Sequence, residues 1–227
     1  MITTVIFDLD DTLYNEIDYC KSGFKATARF LAGLAESPSA EAIFTAFWES
    51  FNSGERHTIF NTALERLGIN YDDELIKKMV ETYRNHLPDI TLPGDSEDVL
   101  KWLHSQYSLG LLTDGFLPSQ RLKVDALGLE KFFECIIYTE ELGREFWKPS
   151  PRAFEIILER LAQKPDNSVY IADNEKKDFI APNKLGFSTV QLIRQAGIHT
   201  ESSNEPNAQA QHKIRQITEL PGLLLKL

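Results

Sequence analysis

Val5, Ile6 and Phe7 form a short apolar run with no polar interruption, the pattern of a strand buried on both faces. Polar residues take over at once, in Asp8-Leu9-Asp10-Asp11-Thr12. From Asn15 to about Pro88 apolar residues recur instead at helical spacing. They fall into four sets: Phe24, Ala28, Leu31 and Ala35; Phe44, Phe47, Trp48 and Phe51; Phe60, Ala63, Leu64 and Leu67; Leu75, Ile76, Met79, Val80 and Tyr83. Ser37 followed by Pro38 reads as the N-cap and first position of the second helix, and Gly68 as the C-terminal cap of the third. No strand pattern interrupts this stretch, so residues 15–88 are expected to form a small helical bundle.

After the Leu92-Pro93-Gly94 turn the period alternates. A helix is expected from about Asp95 to Gln106, then a strand over Leu109–Leu112, a helix over Pro118–Leu127 and a strand over Cys135–Tyr138. A helix with Phe154, Ile157, Leu158 and Leu161 on one face follows, then a strand over Ser168–Ala172, a short helix to Gly186 and a strand over Thr189–Ile193. A weak strand and a closing helix fill about His212 to Leu225. Strands alternating with helices predict an α/β core, with a mainly parallel sheet covered on both faces. The expected division is a core of residues 1–14 and 89–227, with residues 15–88 as a helical insertion. The polar tract from about Thr200 to Gln211 reads as a surface loop.

Composition adds constraints on partners. The 227 residues are 42% hydrophobic and 26% charged, ordinary for a soluble globular protein, and carry a formal net charge of -10. That charge argues against nucleic acid or an anionic membrane as the general partner, while leaving room for an anionic substrate in a locally cationic cleft. Cys20 and Cys135 have no metal-ligand spacing, and no signal-peptide pattern or span-length apolar run occurs. A cytoplasmic location is expected; oligomeric state is left open.

Four polar signals each follow an apolar strand: Asp8-x-Asp10-x-Thr12, Thr113-Asp114-Gly115, Trp147-Lys148-Pro149 and Asp173-x4-Asp178. In a parallel sheet all four fall on one edge, where ligands bind. Carboxylates close together repel one another and call for a cation; oxygen ligands and phosphate chemistry make Mg2+ the first choice. A carboxylate nucleophile, a hydroxyl and an ammonium suit phosphoryl transfer.

In their order the four signals resemble the four motifs of the haloacid-dehalogenase superfamily, in its phosphatase branch. The resemblance implies a Rossmann-like three-layer α/β/α core with an inserted α-helical cap domain between the first two motifs. It implies Asp8 as the nucleophile that becomes an aspartyl phosphate. Asp10 would be the general acid and then the base, its backbone carbonyl also on Mg2+. Thr113 and the Asp114 amide would bind phosphate, with Lys148 holding it and balancing Asp8. Asp173 would be a direct metal ligand, and Asp178 an outer one or an orienter of Lys148. Two positions depart from the pattern: Asp114 stands where the family often has Asn, and Ala172 where Gly usually precedes the motif-four Asp.

The expected activity is Mg2+-dependent hydrolysis of a small phosphorylated metabolite: a sugar phosphate, an acylneuraminate phosphate or a nucleotide. A sugar-phosphate mutase is the nearest rival. A haloacid dehalogenase or phosphonate hydrolase is disfavoured by Asp10, and a non-catalytic binding module by the complete set of groups. In the helical stretch, Arg56 and His57 of the loop Asn52-Ser-Gly-Glu-Arg-His57 are candidate contacts for the leaving group, with solvated loop residues as the competing reading.

Overall fold

The computed structural model describes residues 1–34, 37–54, 56–194, 197–198 and 202–227; Ala35, Glu55 and Thr200, named above, lie outside them. The chain divides into two compact units: Met1–Ile17 with Thr91–Leu227, and Asp18–Ile90.

Strand β1 (Thr4–Phe7) opens the first unit. Helices α1 (Glu16–Ala32), α2 (Ala40–Asn52), α3 (Ile59–Leu67) and α4 (Asp73–Asn85) follow, and all but the start of α1 belong to the second unit. The core of that unit is aromatic. Phe24 of α1 has the rings of Phe47, Phe51, Phe60 and Tyr83 around it, at centroid distances of 6.0, 5.7, 6.3 and 5.4 Å. Tilted and edge-on aromatic pairs of this kind add about 0.5–1.5 kcal/mol each beyond their buried area. Gly68 takes the left-handed conformation (φ 66°) that ends α3. The N-cap of α2 is Ser39, not Ser37: its backbone is extended and its oxygen accepts the Ala42 N–H at 3.2 Å. Helix α2 therefore begins at Ala40, and Pro38 precedes the cap instead of following it. Near the end of this unit, His86 Nε2 lies 3.0 Å from Ser22 Oγ, which also accepts the Asp89 N–H at 2.8 Å.

The first unit resumes with α5 (Gly94–His104), β2 (Ser108–Thr113), α6 (Ser119–Ala126), β3 (Cys135–Tyr138) and α7 (Arg152–Arg160). It continues through β4 (Ser168–Ala172), α8 (Ile180–Leu185), β5 (Ser188–Leu192), β6 (His212–Ile214) and α9 (Leu220–Leu224). The six strands form one parallel sheet in the order β3-β2-β1-β4-β5-β6. Strand β1 is central, with Thr4 beside both Ser108 and Ser168 and Phe7 beside both Leu111 and Ile171. Its Val5, Ile6 and Phe7 are fully buried, which is why no polar residue interrupts the run.

Ile6, Leu112, Ile137, Tyr170 and Ala172 pack with Phe154, Ile157 and Leu158 of α7 and with Phe179 and Phe187 around α8. Burying each large side chain of this set contributes about 1.5–3 kcal/mol. The methyl of Ala172 is absorbed wholly into this core. The described part of the polar tract, 202–211, is a mostly exposed loop that is pinned to the core: Asn183 Nδ2 donates to the carbonyls of Asn207 and Gln209 at 2.8 Å, and Ala208 is fully buried.

Candidate active site

Parallel register brings the C-terminal ends of β1, β2 and β4 side by side. Asp8 leaves β1 with its N–H still bonded to the Ile171 carbonyl at 2.9 Å, so its carboxyl is fixed at the mouth of the sheet. Asp173 and Asp178 follow β4, Thr113 ends β2, and Lys148 comes in from the loop after β3.

Lys148 is the centre of this group. Its ammonium donates to Asp8 Oδ1 at 2.6 Å and to the Tyr170 hydroxyl at 3.0 Å, and lies 2.7 Å from Asp178 Oδ1. Its side chain has no solvent exposure. Burial disfavours the charge, but Asp178 and Asp8 outweigh burial and hold the ammonium well above the ordinary lysine range. Asp178 is accordingly held low: desolvation opposes its charge, Lys148 and Lys177 overcome that, and the Asn174 N–H bonds its second oxygen at 3.0 Å.

Asp8 and Asp173 are different. Desolvation pushes the Asp8 carboxyl up to about 6, with Lys148 pulling down and Asp178 pushing up. Asp173 is pushed up to about 9, first by burial and then by Asp178, Asp8 and Asp11. Its Oδ2 is buried and has no hydrogen-bond partner among the described residues. An orphaned buried carboxylate oxygen is costly unless something unseen satisfies it. Oxygens of Asp8, Asp173 and Asp178 lie within 4.8 Å of one another. An all-oxygen set carrying excess negative charge fits a hard divalent cation. Asp173 also borders a cavity of about 140 Å³, lined by Asp11, Glu175, Gln191, Arg194 and Lys213 among others.

The Asp10 side chain is not in that carboxylate cluster. Its Oδ1 accepts from Lys123 Nζ at 2.8 Å and from the Tyr14 hydroxyl at 2.5 Å, and its Oδ2 from Gln120 Nε2 at 2.8 Å. Burial works to raise its pKa; Lys123, Tyr14 and Gln120 outweigh that and lower it. Asp114 turns its carboxylate toward protein donors: Thr139 Oγ1 at 2.8 Å and the Lys148 N–H at 3.3 Å, with Lys177 Nζ at 3.6 Å. The extra charge relative to Asn is thus partly neutralised within the fold.

Arg56 and His57 belong to the helical unit, between α2 and α3, and both are exposed. Arg56 stacks its guanidinium 4.4 Å from the centre of the Phe51 ring. Sequence reading did not single out Tyr14, Gln120, Lys123 or Tyr170. Gln120 and Lys123 left one trace: they occupy i and i+3 of a short helix directly after Thr113-Asp114-Gly115, a stripe that would be apolar if it served packing alone.

Residues 2–186 match the haloacid dehalogenase-like hydrolase family. A glyceraldehyde 3-phosphate phosphatase of Methanopyrus kandleri is 31% identical over 202 residues, 86% of this chain and 85% of that protein. The chain belongs to the haloacid dehalogenase-like hydrolases. Human N-acylneuraminate-9-phosphatase is 25% identical over 238 residues, covering 98% of this chain and 94% of its own. A solved 2-haloacid dehalogenase from Pseudomonas syringae pv. Tomato DC3000 shares the fold, with a TM-score of 0.68 over 100% of this chain and 99% of that one, at 23% identity. In this haloacid dehalogenase-like hydrolase, then, the sheet edge joins a lysine-paired carboxylate to a separate carboxylate held by three donors of its own.

Proposed function

We propose that this protein is a Mg2+-dependent phosphatase acting on a small phosphorylated metabolite through an aspartyl-phosphate intermediate. One observation carries the reading. Asp8 and Asp10, two residues apart, sit in opposite electrostatic settings, one beside a buried lysine and two carboxylates, the other in a nest of donors. Neighbouring carboxylates set apart by their surroundings suit separate roles as nucleophile and acid–base. The names of the two relatives, both phosphatases of carbohydrate-like phosphate esters, support the same class and favour a phosphorylated sugar or sugar acid.

In the first half-reaction an Asp8 oxygen attacks phosphorus. A P–O bond to Asp8 forms and the P–O bond to the leaving alcohol breaks; Asp10, ionised at rest, delivers to that oxygen a proton it has taken from the bound phosphomonoester monoanion. In the second, Asp10 takes a proton from water as the water oxygen attacks the same phosphorus and the Asp8–phosphorus bond breaks; phosphate leaves with that proton, and both carboxylates return to their starting states. Lys148 and the Thr113 hydroxyl bind phosphoryl oxygens, while the Asp178 carboxylate and Tyr170 hydroxyl fix the lysine. Asp8, Asp173 and Asp178, with the Asp10 carbonyl, would hold Mg2+, whose charge offsets that of the phosphoryl group when bound.

Inorganic phosphate release from a panel of phosphomonoesters, sugar phosphates and nucleotides included, with and without excess chelator, tests the reading. Release that requires added Mg2+ is expected; isomerisation of a sugar phosphate without phosphate release would establish the mutase instead. Asp173→Asn gives a sharper test of the cation. It removes one of three crowded carboxylates, so the metal-free variant should melt at or above the wild-type temperature yet lose the rise in Tm that Mg2+ gives the wild type. A Mg2+-induced rise of unchanged size would remove Asp173 from the cation site.

The helical unit is proposed as a cap that selects the leaving group. Arg56→Ala should then lower kcat/KM for the best metabolite about tenfold, the scale of one lost polar contact, with a much smaller effect on p-nitrophenyl phosphate. Equal losses on both esters would place Arg56 in the common phosphate chemistry; no loss on either would return it to a solvated loop residue.

A further inference from the structure

The turn after β2 and the helix it feeds form one connected polar device. Helix α6 turns Gln120 and Lys123 inward, 2% and 4% exposed. A lysine so deeply buried is tolerated only with a close counter-charge, and Asp10 Oδ1 at 2.8 Å supplies it. Gln120 Nε2 has two hydrogens and two acceptors: Asp10 Oδ2 at 2.8 Å and Thr113 Oγ1 at 2.6 Å. Because the threonine oxygen is the acceptor there, its own hydrogen is left to donate elsewhere. The Gln120 side chain reaches this position by crossing Gly115. A Cβ on that residue would stand 2.7 Å from Gln120 Cδ, and its φ of +146° also favours glycine.

We propose that Gln120 and Lys123 are positioning residues. They tie the Asp10 carboxylate and the Thr113 hydroxyl into one frame, fixing the proton donor for the leaving oxygen relative to the hydroxyl that grips the phosphoryl group. This rests on the reading of Asp10 as general acid and Thr113 as phosphate ligand given above. Without the frame, the Asp10 carboxylate keeps only the Tyr14 hydroxyl of its three donors and can turn about that bond, and the Gln120-to-Thr113 bond no longer directs the hydroxyl hydrogen. Loss of orientation of this kind acts on the chemical step.

Leaving-group dependence separates this role from a structural one. An alkyl phosphate expels a strongly basic alkoxide and needs its proton; p-nitrophenyl phosphate expels a weakly basic phenolate and needs it little. The measured quantity is kcat/KM, which covers steps up to departure of the leaving group and excludes the later attack of water. Gln120→Met and Lys123→Met are compared with Asp10→Asn on p-nitrophenyl phosphate and on the most active alkyl ester of the panel.

Losses of about 10²-fold are expected on the alkyl ester, the scale of a general-acid contribution, and at least tenfold smaller losses on the aryl ester. Equal losses on both esters in the Gln120 and Lys123 variants, with Asp10→Asn still discriminating, would overturn the positioning role alone. Failure of Asp10→Asn to discriminate would overturn the acid assignment and the inference with it. Undiminished activity in both methionine variants would also overturn the role. Should Lys123→Met fail to fold, Gln120→Met decides, since it removes no charge.

Discussion

Asp8→Asn abolishes turnover, by on the order of 10⁴-fold, the scale of loss when a covalent nucleophile is removed. The amide is nearly isosteric but a poor nucleophile, so no phosphoryl–enzyme bond forms. The fold should survive. Lys148 keeps Asp178 at 2.7 Å and the Tyr170 hydroxyl at 3.0 Å, so its ammonium is not stranded. The carboxylate removed is one that burial already pushes up to about 6. Neutralising it therefore costs little, and the Tm in chelator should remain within a few degrees of wild type. Turnover, the Tm and the mass of acid-quenched protein check the expectation: wild type with substrate carries one added phosphoryl group and the variant none. Substantial turnover, with deamidation back to aspartate excluded by mass, would reject Asp8 as nucleophile.

Much of this site was legible because the chemistry follows strands that are themselves easy to see. Val5–Phe7 and Val169–Ala172 are apolar runs too short for helices, and each is followed directly by a carboxylate, Asp8 or Asp173. Thr113 and Lys148 could be placed on the same edge by topology alone. What could not be read were partners whose burial depends on tertiary contact. Lys123 looks like any solvated helical lysine until the fold sets Asp10 beside it, and Tyr14 and Tyr170 look like ordinary core aromatics. The Ser39 cap was missed for a local reason. Ser37 and Ser39 flank Pro38 with nearly equal local credentials, and where the helix starts decides between them.

Lys148→Met should produce the largest combined loss. The methionine fills similar space but leaves Asp8 and Asp178 facing each other without their shared cation. Removing one partner of a buried ion pair costs about 3–5 kcal/mol. For a domain of this size that corresponds to a Tm lower by roughly 6–20 °C. The pH dependence carries the sign. Losing Lys148 removes the largest downward pull on both Asp8 and Asp178, so both carboxyls should shift up and the folded variant should bind more protons than folded wild type at intermediate pH. The deficit relative to wild type should therefore be greatest at high pH and shrink as pH falls toward the unfolded carboxylate range. Activity should fall by several orders of magnitude at every pH, because the phosphoryl group then meets uncompensated negative charge. Thermal melts in chelator from pH 5 to 8, with parallel phosphate-release assays, check both parts. A deficit that is flat with pH would show that the two carboxylates do not rely on this lysine.

The central place of β1 has a consequence for how the protein is made. The strand is synthesised roughly a hundred residues ahead of the nearer of its two neighbours, Ser108–Leu111 on one side and Ser168–Ile171 on the other. At about 5–20 residues per second, β1 waits on the order of 5–20 s for its first partner strand and longer for its second. Throughout that time an apolar strand offers two unpaired edges, the template that edge-to-edge aggregation uses. The helical unit, whose contacts are far more local, can complete during the same interval. A nascent chain halted before β4 therefore carries a finished helical bundle tethered to a sticky, half-built sheet.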